Sequence, residues 1–407
     1  MSDLFAARTQ MALSLGFHIV FAEIGIAMPL LMVLAEWRWH RTGDRVYLDL
    51  AKRWAKGSAI LFAVGAVSGT VLSFELGLLW PRFMELAGPI IGIPFSLEGF
   101  AFFTEAIFLG VYLYGWDRIS ARAHMAAGLI VAISGAASAV FVVMVNAFMN
   151  TPAGFTMQAG AIAQIDPIAG MFNPSTVQQA LHMLLASYAA TGFGVAGIHA
   201  ALILRHGDTP FHRHALMLAL LVGAPAAILQ PLSGDLSART VARWQPIKLA
   251  ALEGQFETER GAPLRLGGWP DESARRTRFA IEIPRGLSLL AFHDPNAEVK
   301  GLNAFRRDMW PPVPPVHMGF QIMVALGTAM ALIGAWAALI VARKRRVVDQ
   351  RLLLRALAIA APFGFIATEA GWTVTEVGRQ PWVVQGVLRT ADAVTPMPGL
   401  IAPMIVF

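Results

Sequence analysis

A carboxylate and a guanidinium stand directly after a long apolar run near the C-terminal end of the sequence. The stretch 371–382 reads Gly-Trp-Thr-Val-Thr-Glu-Val-Gly-Arg-Gln-Pro-Trp and contains Glu376 and Arg379. An ionisable side chain at a membrane boundary costs free energy, so such residues are usually paired, bound to a ligand or placed along a pathway. Glu376 and Arg379 are therefore candidate functional residues.

Four more side chains that can bind a metal lie inside apolar segments, each toward the outer end of its segment. They are His18, Glu98, His182 and Met323. Imidazole, thioether and carboxylate groups at one depth on different helices are what buried metal or haem centres require. The sequence contains no cysteine, which excludes thiolate metal sites, iron–sulfur clusters and disulfides.

Each histidine and methionine also has a purely structural interpretation. A single embedded histidine often makes a hydrogen bond between helices, so His18 and His182 could each have that role. We assign His199 to it, because His199 lies ~25 Å along a helix from His182 and cannot share a centre with it. Met323 is one of 18 methionines, most of which are expected to fill the core.

Glu98 and Glu105 form a second carboxylate pattern within one apolar segment. Their spacing of seven residues places both on nearly the same face of a helix, ~10 Å apart in rise. This geometry suits a relay in which Glu105 passes protons from the cytoplasmic side toward Glu98. The alternative is a pair of protonated acids that only hydrogen-bond to neighbouring helices.

Lys248 and Glu253 lie in a polar segment that follows Pro246. If this segment is helical, both side chains could hydrogen-bond a polar ligand at the membrane surface. The alternative is a solvated amphipathic segment, and the spacing by itself favours that alternative. The remainder of the loop, 254–315, is rich in Arg, Pro and Gly without a clear period, which predicts an irregular loop folded over the bundle.

The composition is that of an integral membrane protein. Hydrophobic residues make up 56% of the 407 residues and charged residues only 14%, far from the balance of a soluble domain. Several segments exceed the ~20 apolar residues needed to cross a bilayer as a helix. The predicted spans are 11–36, 55–80, 95–116, 124–149, 176–204, 214–231, 317–342 and 353–372.

These spans predict an all-α polytopic bundle of about nine membrane helices. The first is expected to be a retained span rather than a signal peptide, because no small-residue cleavage site follows a short apolar core. A ninth apolar run begins near Thr395 and reaches Phe407, too short to cross, so it is either the start of a truncated helix or a segment that dips into the membrane. The predicted organisation is helices one to six in 1–231, an outer loop in 232–315, and helices seven to nine in 316–407.

Basic residues predict the orientation. They are concentrated in the first, third, fifth and seventh connections, for example at Arg41, Arg118, Arg205 and Arg345. The positive-inside rule then places these connections in the cytoplasm and the N-terminus outside. The basic loop 232–315 is too long to count in the rule and is expected to face outward. The net charge of +6 reflects this distribution and does not indicate a nucleic-acid partner.

Taken together, these motifs resemble subunit I of the cytochrome bd-type quinol oxidases over essentially the whole chain. No single motif would be sufficient, but several occur in one order. They are Gly16-Phe-His18, Phe95-Ser-Leu-Glu98-Gly-Phe-Ala-Phe-Phe-Thr-Glu105, Gly115-Trp-Asp-Arg118, His182, Gln245-Pro-Ile-Lys248-Leu-Ala-Ala-Leu-Glu253, Gln321-Ile-Met323-Val and Gly371 to Trp382.

The resemblance implies the following cofactor ligands. His182 and Met323 would be the axial pair of a low-spin haem b, where both axial positions are filled and oxygen cannot bind. Glu376 would bind a high-spin haem b. His18 and Glu98 would flank the oxygen-reducing haem, which is haem d or a third haem b. Arg379 and Trp372 would support these ligands, with Arg379 binding haem propionates or the Glu376 carboxylate.

The resemblance also implies an activity and partners. The chain would oxidise ubiquinol or menaquinol at the outer face, with Lys248 and Glu253 at the quinol, and would reduce O2 to water. Glu105 would lie on a proton path to Glu98. A second membrane subunit, subunit II, and a small single-helix subunit would complete the complex in the bacterial inner membrane.

Three features of this chain differ from the commonest pattern of the family. Gln321 stands two residues before Met323, where many relatives have an arginine. The spacing from Glu98 to Glu105 is one residue shorter than usual. The outer loop is of the short kind without a long insertion, which favours the cyanide-insensitive branch with a compact quinol loop.

The residues alone are also compatible with two other classes of protein. A dihaem cytochrome b that only carries electrons would need a second histidine at the depth of His182. A proton-coupled transporter would account for Glu98 and Glu105 but leaves His18 and His182 unexplained, and it should show repeats or broken helices.

Overall fold

The computed structural model describes residues 2–158 and 161–406 as a bundle of long helices with short strands in the connections. The helices are α1 (Asp3–Thr42), α2 (Arg45–Leu79), α3 (Pro81–Tyr114), α4 (Ala121–Asn150), α5 (Pro167–Met171), α6 (Thr176–His206), α7 (Pro210–Trp244), α8 (Pro246–Leu252), α9 (Gly286–Phe292), α10 (Val313–Ala342), α11 (Arg351–Ala360), α12 (Phe363–Val377), α13 (Thr390–Ala393) and α14 (Ile401–Val406). The strands are β1 (Thr156–Gln158), β2 (Ala161–Ala163), β3 (Glu259–Arg260), β4 (Leu264–Leu266), β5 (Trp269–Asp271), β6 (Arg276–Arg278), β7 (Ile281–Ile283), β8 (Glu298–Val299), β9 (Trp382–Val384) and β10 (Leu388–Arg389).

The predicted all-helical membrane bundle is confirmed. Within the described residues, eight helical segments are long and apolar enough to cross a bilayer, with α11 and α12 together forming the eighth. They coincide with the eight spans predicted from the sequence. The ninth run contains only the six-residue helix α14 in the described part of the chain, so a ninth span and the outside position of the N-terminus stay predictions.

Helix α7 is longer than the apolar segment from which it was predicted. The sixth predicted span ends at residue 231, but α7 continues to Trp244, so residues 232–244 are helical rather than part of a loop. Polar residues there lowered the hydropathy without breaking the helix, and an ion pair joins Asp235 and Arg239 one turn apart at 2.6 Å. The helix ends at the Gln245-Pro246 step, since a residue before proline is disfavoured in the α conformation.

The eighth predicted span is interrupted and also longer than expected. Its helix divides into α11 and α12 around Pro362, because proline lacks the amide hydrogen and crowds the preceding turn. The helix then continues past residue 372, the predicted end, to Val377. Glu376 therefore lies in the last helical turn instead of beyond the span.

Small residues allow the helices of the bundle to approach one another closely. A Cβ atom on Gly192 of α6 would lie 2.5 Å from the Cα atom of Gly223 of α7. A Cβ atom on Gly364 of α12 would lie 2.2 Å from the Cα atom of Ala190. Contacts of this kind are typical of membrane helices, where close packing of backbones replaces the hydrophobic effect as the source of association.

Large apolar side chains cover the outer surface of α2 and α3. Ile60, Val67 and Phe74 of α2 and Phe100 and Phe103 of α3 are each more than 60% exposed. Patches of this kind on a soluble monomer would be unusual. On this chain they form the surface expected to face lipid or another membrane subunit.

The long connection between α7 and α10 is built from small paired elements. Strand β3 pairs with β8, β4 with β7, and β5 with β6, all antiparallel. The sequence predicts an irregular loop here, which is wrong for these residues, because strands of two or three residues are too short to give a periodic pattern. Buried side chains from this connection, including Leu287 and Val299, pack against Leu249 and thereby hold α8 in place.

We expect Gly192→Ala to destabilise the folded protein, because the added methyl group would overlap the backbone of Gly223. Overpacking of this kind typically costs about 1–3 kcal/mol. The measurement is thermal unfolding in detergent, followed by circular dichroism. Gly110→Ala in α3 is the matched control, since a Cβ atom there meets no other atom within 4 Å. Equal melting temperatures of the two variants would contradict the proposed close contact.

Candidate active site

His182 of α6 is held with one ring nitrogen available to a ligand. Its Nδ1 atom lies 2.8 Å from the Ser233 hydroxyl, and that hydroxyl donates its own hydrogen to the Gln230 carbonyl at 2.8 Å. Ser233 must therefore accept from Nδ1–H, which leaves an unprotonated lone pair on Nε2. The Gln230 side-chain amide donates to this lone pair at 3.2 Å, so a ligand on Nε2 would displace that hydrogen bond. This tautomer is the one in which an imidazole binds a metal through Nε2.

His18 of α1 has the same arrangement against α2. Its Nδ1 atom lies 2.9 Å from the Ser68 hydroxyl, which donates to the backbone carbonyls of Val64 and Gly65, each at 3.0 Å. The Nε2 lone pair is again left free. Gly69 makes room for the ring, since a Cβ atom there would lie 3.0 Å from His18 Cε1. The sequence revealed the two histidines but not their serine partners, which lie about 50 residues away along the chain.

One cavity brings together several of the residues predicted from the sequence. It has a volume of about 400 Å³ and is lined by His182, Met323, Trp372, Lys248 and Glu253, among mostly apolar side chains. Imidazole and thioether groups therefore share a cavity with an amine and a carboxyl group. Gly371 permits this arrangement, because a Cβ atom at that position would lie 3.0 Å from Met323 Sδ.

The segment after Pro246 is helical. Helix α8 contains Lys248 and ends one residue before Glu253. Both residues are buried, at 5% and 1% exposure, so the solvated amphipathic alternative is wrong. The Lys248 Nζ atom donates to Asn150 Oδ1 at 3.0 Å and to the Thr375 carbonyl at 3.1 Å. Within the described residues, Glu253 Oε2 has no hydrogen-bond partner, which leaves it available to a polar ligand.

Burial brings the pKa values of both groups near neutrality. Burial, followed by the charge of Arg379, lowers the pKa of Lys248 to about 7, while Glu376 opposes the shift. Burial raises the pKa of Glu253 to about 8, and the charge of Arg265 opposes that shift. Groups with such pKa values can gain or lose a proton in the physiological range, as acid and base catalysts must.

Glu376 and Arg379, which the sequence analysis selected as candidate functional residues, form an ion pair. Arg379 Nη2 donates to Glu376 Oε2 at 2.5 Å, and Asn146 Nδ2 of α4 donates to Glu376 Oε1 at 2.5 Å. Arg379 is 2% exposed, and its Nε–H has no acceptor within residues 2–158 and 161–406. A buried N–H without an acceptor is suited to bind an anionic group of a ligand, such as a carboxylate, beside the ion pair.

An amide bridge that sequence reasoning missed connects Lys248 to Glu376. Asn150 Nδ2 donates to Asn146 Oδ1 at 3.0 Å, while Asn150 also accepts from Lys248 and Asn146 donates to Glu376. Gln245 Nε2 donates to the Asn150 carbonyl at 2.7 Å. The feature of the sequence that could have indicated this bridge is a pair of asparagines one helical turn apart at the end of an apolar span.

Glu98 and Glu105 both face α4, as their spacing predicts. Ser138 lies beside the Glu98 carboxyl group. The Glu105 carboxyl group lies against Gly135, where a Cβ atom would come within 3.3 Å of it. Gly135 and Ser138 are themselves one turn apart, so the two carboxyl groups follow one seam between α3 and α4.

Gln321, which stands where the family pattern led us to expect an arginine, holds the connection between α7 and α10 against α10. Its amide nitrogen donates to the Arg265 carbonyl at 3.0 Å, and its Oε1 accepts from the Gly267 amide at 2.9 Å. One turn earlier, the ring of His317 lies between the carbonyls of Leu252 at 2.7 Å and Gly267 at 3.1 Å. The loop is thus held over the end of α8, beside Glu253.

His199 lies apart from these groups, as the sequence predicts. Its Nδ1 atom is 3.0 Å from Nδ1 of His212, so it makes a contact between α6 and α7. This is the role of a helix–helix hydrogen-bonding residue.

A membrane bundle with these features belongs to the class of membrane redox proteins. Two imidazoles present unprotonated Nε2 atoms, and one of them shares a cavity with a thioether, a buried amine and a buried carboxyl group. The comparisons with known proteins agree. The family model described as cytochrome bd terminal oxidase subunit I matches residues 6–407, and the chain belongs to this family.

Relatives with curated descriptions match nearly the whole chain. The putative cytochrome bd menaquinol oxidase subunit I of Bacillus subtilis (strain 168) is 41% identical over 401 residues, covering 97% of this chain and 90% of the relative. The cytochrome bd ubiquinol oxidase subunit 1 of the same organism is 32% identical, with 97% and 87% covered. The cytochrome bd-II ubiquinol oxidase subunit 1 of Escherichia coli (strain K12) is 28% identical, with 95% and 88% covered.

A solved structure has the same fold. The bd oxidase from Geobacillus thermodenitrificans matches with a TM-score of 0.93 and 40% sequence identity, covering 100% of this chain and 94% of that chain. The resemblance seen in the sequence is therefore confirmed. The chain is a multi-pass protein of the bacterial inner membrane, and its relatives are quinol:oxygen oxidoreductases.

We expect Glu253→Gln to weaken the pH dependence of stability. A glutamate in the unfolded chain loses its proton near about pH 4, whereas Glu253 in the folded chain keeps it up to about pH 8. The folded state alone holds the proton between these values, so the free energy of unfolding falls as pH rises. In the variant, the melting temperature should fall less between about pH 5 and pH 6.5, a range in which Lys248 is mainly protonated in both states.

The measurement is thermal unfolding in detergent at a series of pH values. Glu298→Gln is the control, because the Glu298 side chain is 48% exposed and lies in a surface pair with Arg260. Parallel curves for the Glu253→Gln variant and the unaltered protein would show that Glu253 is already ionised in the folded state.

Proposed function

We propose that this chain is the subunit of a terminal oxidase that oxidises membrane quinol at the outer face and reduces O2 to water through three haems. The observation that carries the proposal is the cavity shared by His182, Met323, Lys248 and Glu253. In this cavity the two proposed axial ligands lie near two groups that could bind a quinol and exchange its protons. Family membership favours this function over an electron-carrying cytochrome b or a proton-coupled transporter.

The residues fit haem binding at three places. His182 and Met323 would hold a low-spin haem b, Glu376 a high-spin haem b, and His18 with Glu98 the oxygen-reducing haem, either d or b. The unprotonated Nε2 atoms of both histidines support these assignments. Bound haems would supply the sites where electrons are carried and oxygen is reduced. Arg379 and Trp372 would support the haem beside Glu376, with the unpaired Arg379 Nε–H directed to a propionate.

Lys248 and Glu253 would bind and deprotonate the quinol. A quinol gives up one proton for each electron, so a base must lie within hydrogen-bond reach of its hydroxyl group. Glu253 Oε2 has no partner among the described residues and can accept that hydrogen bond. Lys248 can donate to the second oxygen or accept a proton itself, since its pKa of about 7 leaves a fraction of neutral amine.

Glu105 and Glu98 would carry protons toward the oxygen-reducing site. Both carboxyl groups lie along the seam between α3 and α4, with Ser138 and Gly135 opposite them. If the orientation predicted from the basic loops is right, these protons come from the cytoplasm, while quinol protons are released outside. Charge would then be separated across the membrane without a pump. Subunit II, and a small single-helix subunit in addition, would complete the oxidase.

The central experiment is a reduced-minus-oxidised spectrum with haem extraction on the purified oxidase, together with quinol-dependent oxygen uptake. We expect low-spin and high-spin haem signals, and the presence or absence of a chlorin distinguishes haem d from haem b. His182→Ala should remove the low-spin signal and leave a haem that binds carbon monoxide. His199→Ala is the control and should keep all haems. Absence of haem in the unaltered oxidase would overturn the proposed function, and an unchanged low-spin signal in His182→Ala would overturn that ligand assignment.

Gly69→Ala should reduce the haem bound at His18. The new methyl group would lie 3.0 Å from the imidazole Cε1 atom, so the ring must move and its hydrogen bond to Ser68 must lengthen. A displacement of this size at a ligand is expected to weaken binding about 10- to 100-fold. The haem content of the purified oxidase measures the loss.

Gly77→Ala is the matched control for this prediction. It lies on the same helix, α2, and a Cβ atom there meets nothing within 4 Å. We expect full haem content in this variant. If Gly69→Ala also kept its full haem content, His18 would not be the ligand of that centre.

A further inference from the structure

Two carboxyl groups in the membrane interior have no role in the function proposed above. Glu23 lies in the middle of α1 and is 2% exposed, and Glu369 lies in α12. The Glu369 charge is near enough to act on Glu23, and Thr368 lies beside the Glu23 carboxyl group. Carboxyl groups at this depth are costly, and in membrane proteins they commonly mark ion or proton pathways.

Hydrogen bonds in the described part of the chain do not satisfy these two groups. Both oxygens of Glu23 are buried without a partner, and so is Oε1 of Glu369. Thr191 of α6 bonds to the backbone carbonyl of Glu23 at 3.2 Å and leaves its carboxyl group free. A structural carboxyl group has donors on at least one oxygen, as Glu75 Oε1 has from Gln10 at 3.0 Å and Ser14 at 2.8 Å, although Glu75 Oε2 has no partner among the described residues. Glu23 and Glu369 are therefore poorly suited to a purely structural role.

The two groups lie on a line that leads to Glu376. Gly16 and Glu23 are seven residues apart and share one face of α1. A Cβ atom on Gly16 would come within 3.2 Å of Glu369 Oε2, so the Glu369 carboxyl group lies against the bare backbone there. Glu369 and Glu376 are also seven residues apart, which places them on one face of α12 at ~10 Å in rise.

This line repeats the geometry of Glu105 and Glu98 on another pair of helices. In each case carboxyl groups follow one helix face at a spacing of seven residues and end at a residue proposed as a haem ligand. Glycine opposes a carboxyl group in both seams, Gly135 at Glu105 and Gly16 at Glu369. The second seam lies between α1 and α12 and does not involve α3 or α4.

We propose that Glu23 and Glu369 are proton-carrying residues that deliver protons by way of Glu376 to the oxygen-reducing site, as a second path beside the one through Glu105 and Glu98. The proposal rests on the proposed function, since oxygen reduction supplies the demand for protons. Two buried carboxyl groups whose charges act on each other are most stable when at least one of them holds a proton. In each cycle Glu369 gives up a proton toward Glu376, and Glu23 replaces it.

The protons and electrons of this step balance with quinol and O2 as the reactants. Reduction of O2 to water takes up one proton for each electron, and the electrons come from quinol. Glu23 and Glu369 undergo no net change, because each proton that leaves Glu369 is replaced. Glu369 Oε1, which has no partner among the described residues, is the atom from which the proton would leave.

The test is infrared difference spectroscopy of the purified oxidase between its oxidised and reduced forms, in the carboxylic-acid C=O region. We expect a band that shifts in D2O and disappears in both Glu23→Gln and Glu369→Gln. The double variant should lose no more of this band than either single one, since the two carboxyl groups act in series on one path. Proton uptake during oxidation of the reduced enzyme, followed with a pH indicator, should slow about tenfold or more in each variant.

Glu75→Gln is the matched control, because Glu75 is a buried carboxylate of α2 whose donors come from α1. It should keep the infrared band. If a glutamine variant fails to fold, Glu23→Asp and Glu369→Asp keep the acid and should shift the band instead. A band and proton uptake unchanged in the Glu23 and Glu369 variants of a haem-loaded, active enzyme would overturn this inference alone. Lack of haem or oxidase activity in the unaltered protein would overturn the proposed function instead.

Discussion

The constraint on which the structure depends is the cost of placing a polar group in hydrocarbon without a partner. Each such group costs several kcal/mol, so a polar residue inside the bundle needs a partner on another helix or a ligand. His182 has its partner Ser233 on α7, and His18 has Ser68 on α2. In both cases the serine hydroxyl already donates its hydrogen to a backbone carbonyl, and this determines which imidazole nitrogen carries the proton.

The groups that lack partners are as informative as those that have them. Glu253 Oε2 and Arg379 Nε–H are buried without a partner among the described residues, and both lie where the family resemblance places a quinol or a haem. Glu23 and Glu369 share that property at a place where the resemblance implied nothing. The same physical argument therefore supports the proposed sites and extends beyond them.

Close helix packing makes this arrangement of polar groups feasible. Gly69, Gly135 and Gly371 stand opposite His18, Glu105 and Met323 respectively, with distances of 3.0–3.3 Å from their notional Cβ atoms. A larger residue at any of them would displace a functional side chain. Elsewhere, Gly192 and Gly223 bring α6 and α7 together, which fixes His182 relative to Ser233 and Gln230.

The sequence by itself determined the class of protein, the eight apolar spans and the residues with candidate chemistry. Hydropathy and residue type are local properties, and motifs in a fixed order identify a family without coordinates. It did not determine where helices end, because α7 continues through polar residues to Trp244. Nor did it reveal the bridge from Lys248 through Asn150 and Asn146 to Glu376. Only the tertiary structure could decide burial and partners, since these depend on which faces of distant helices meet.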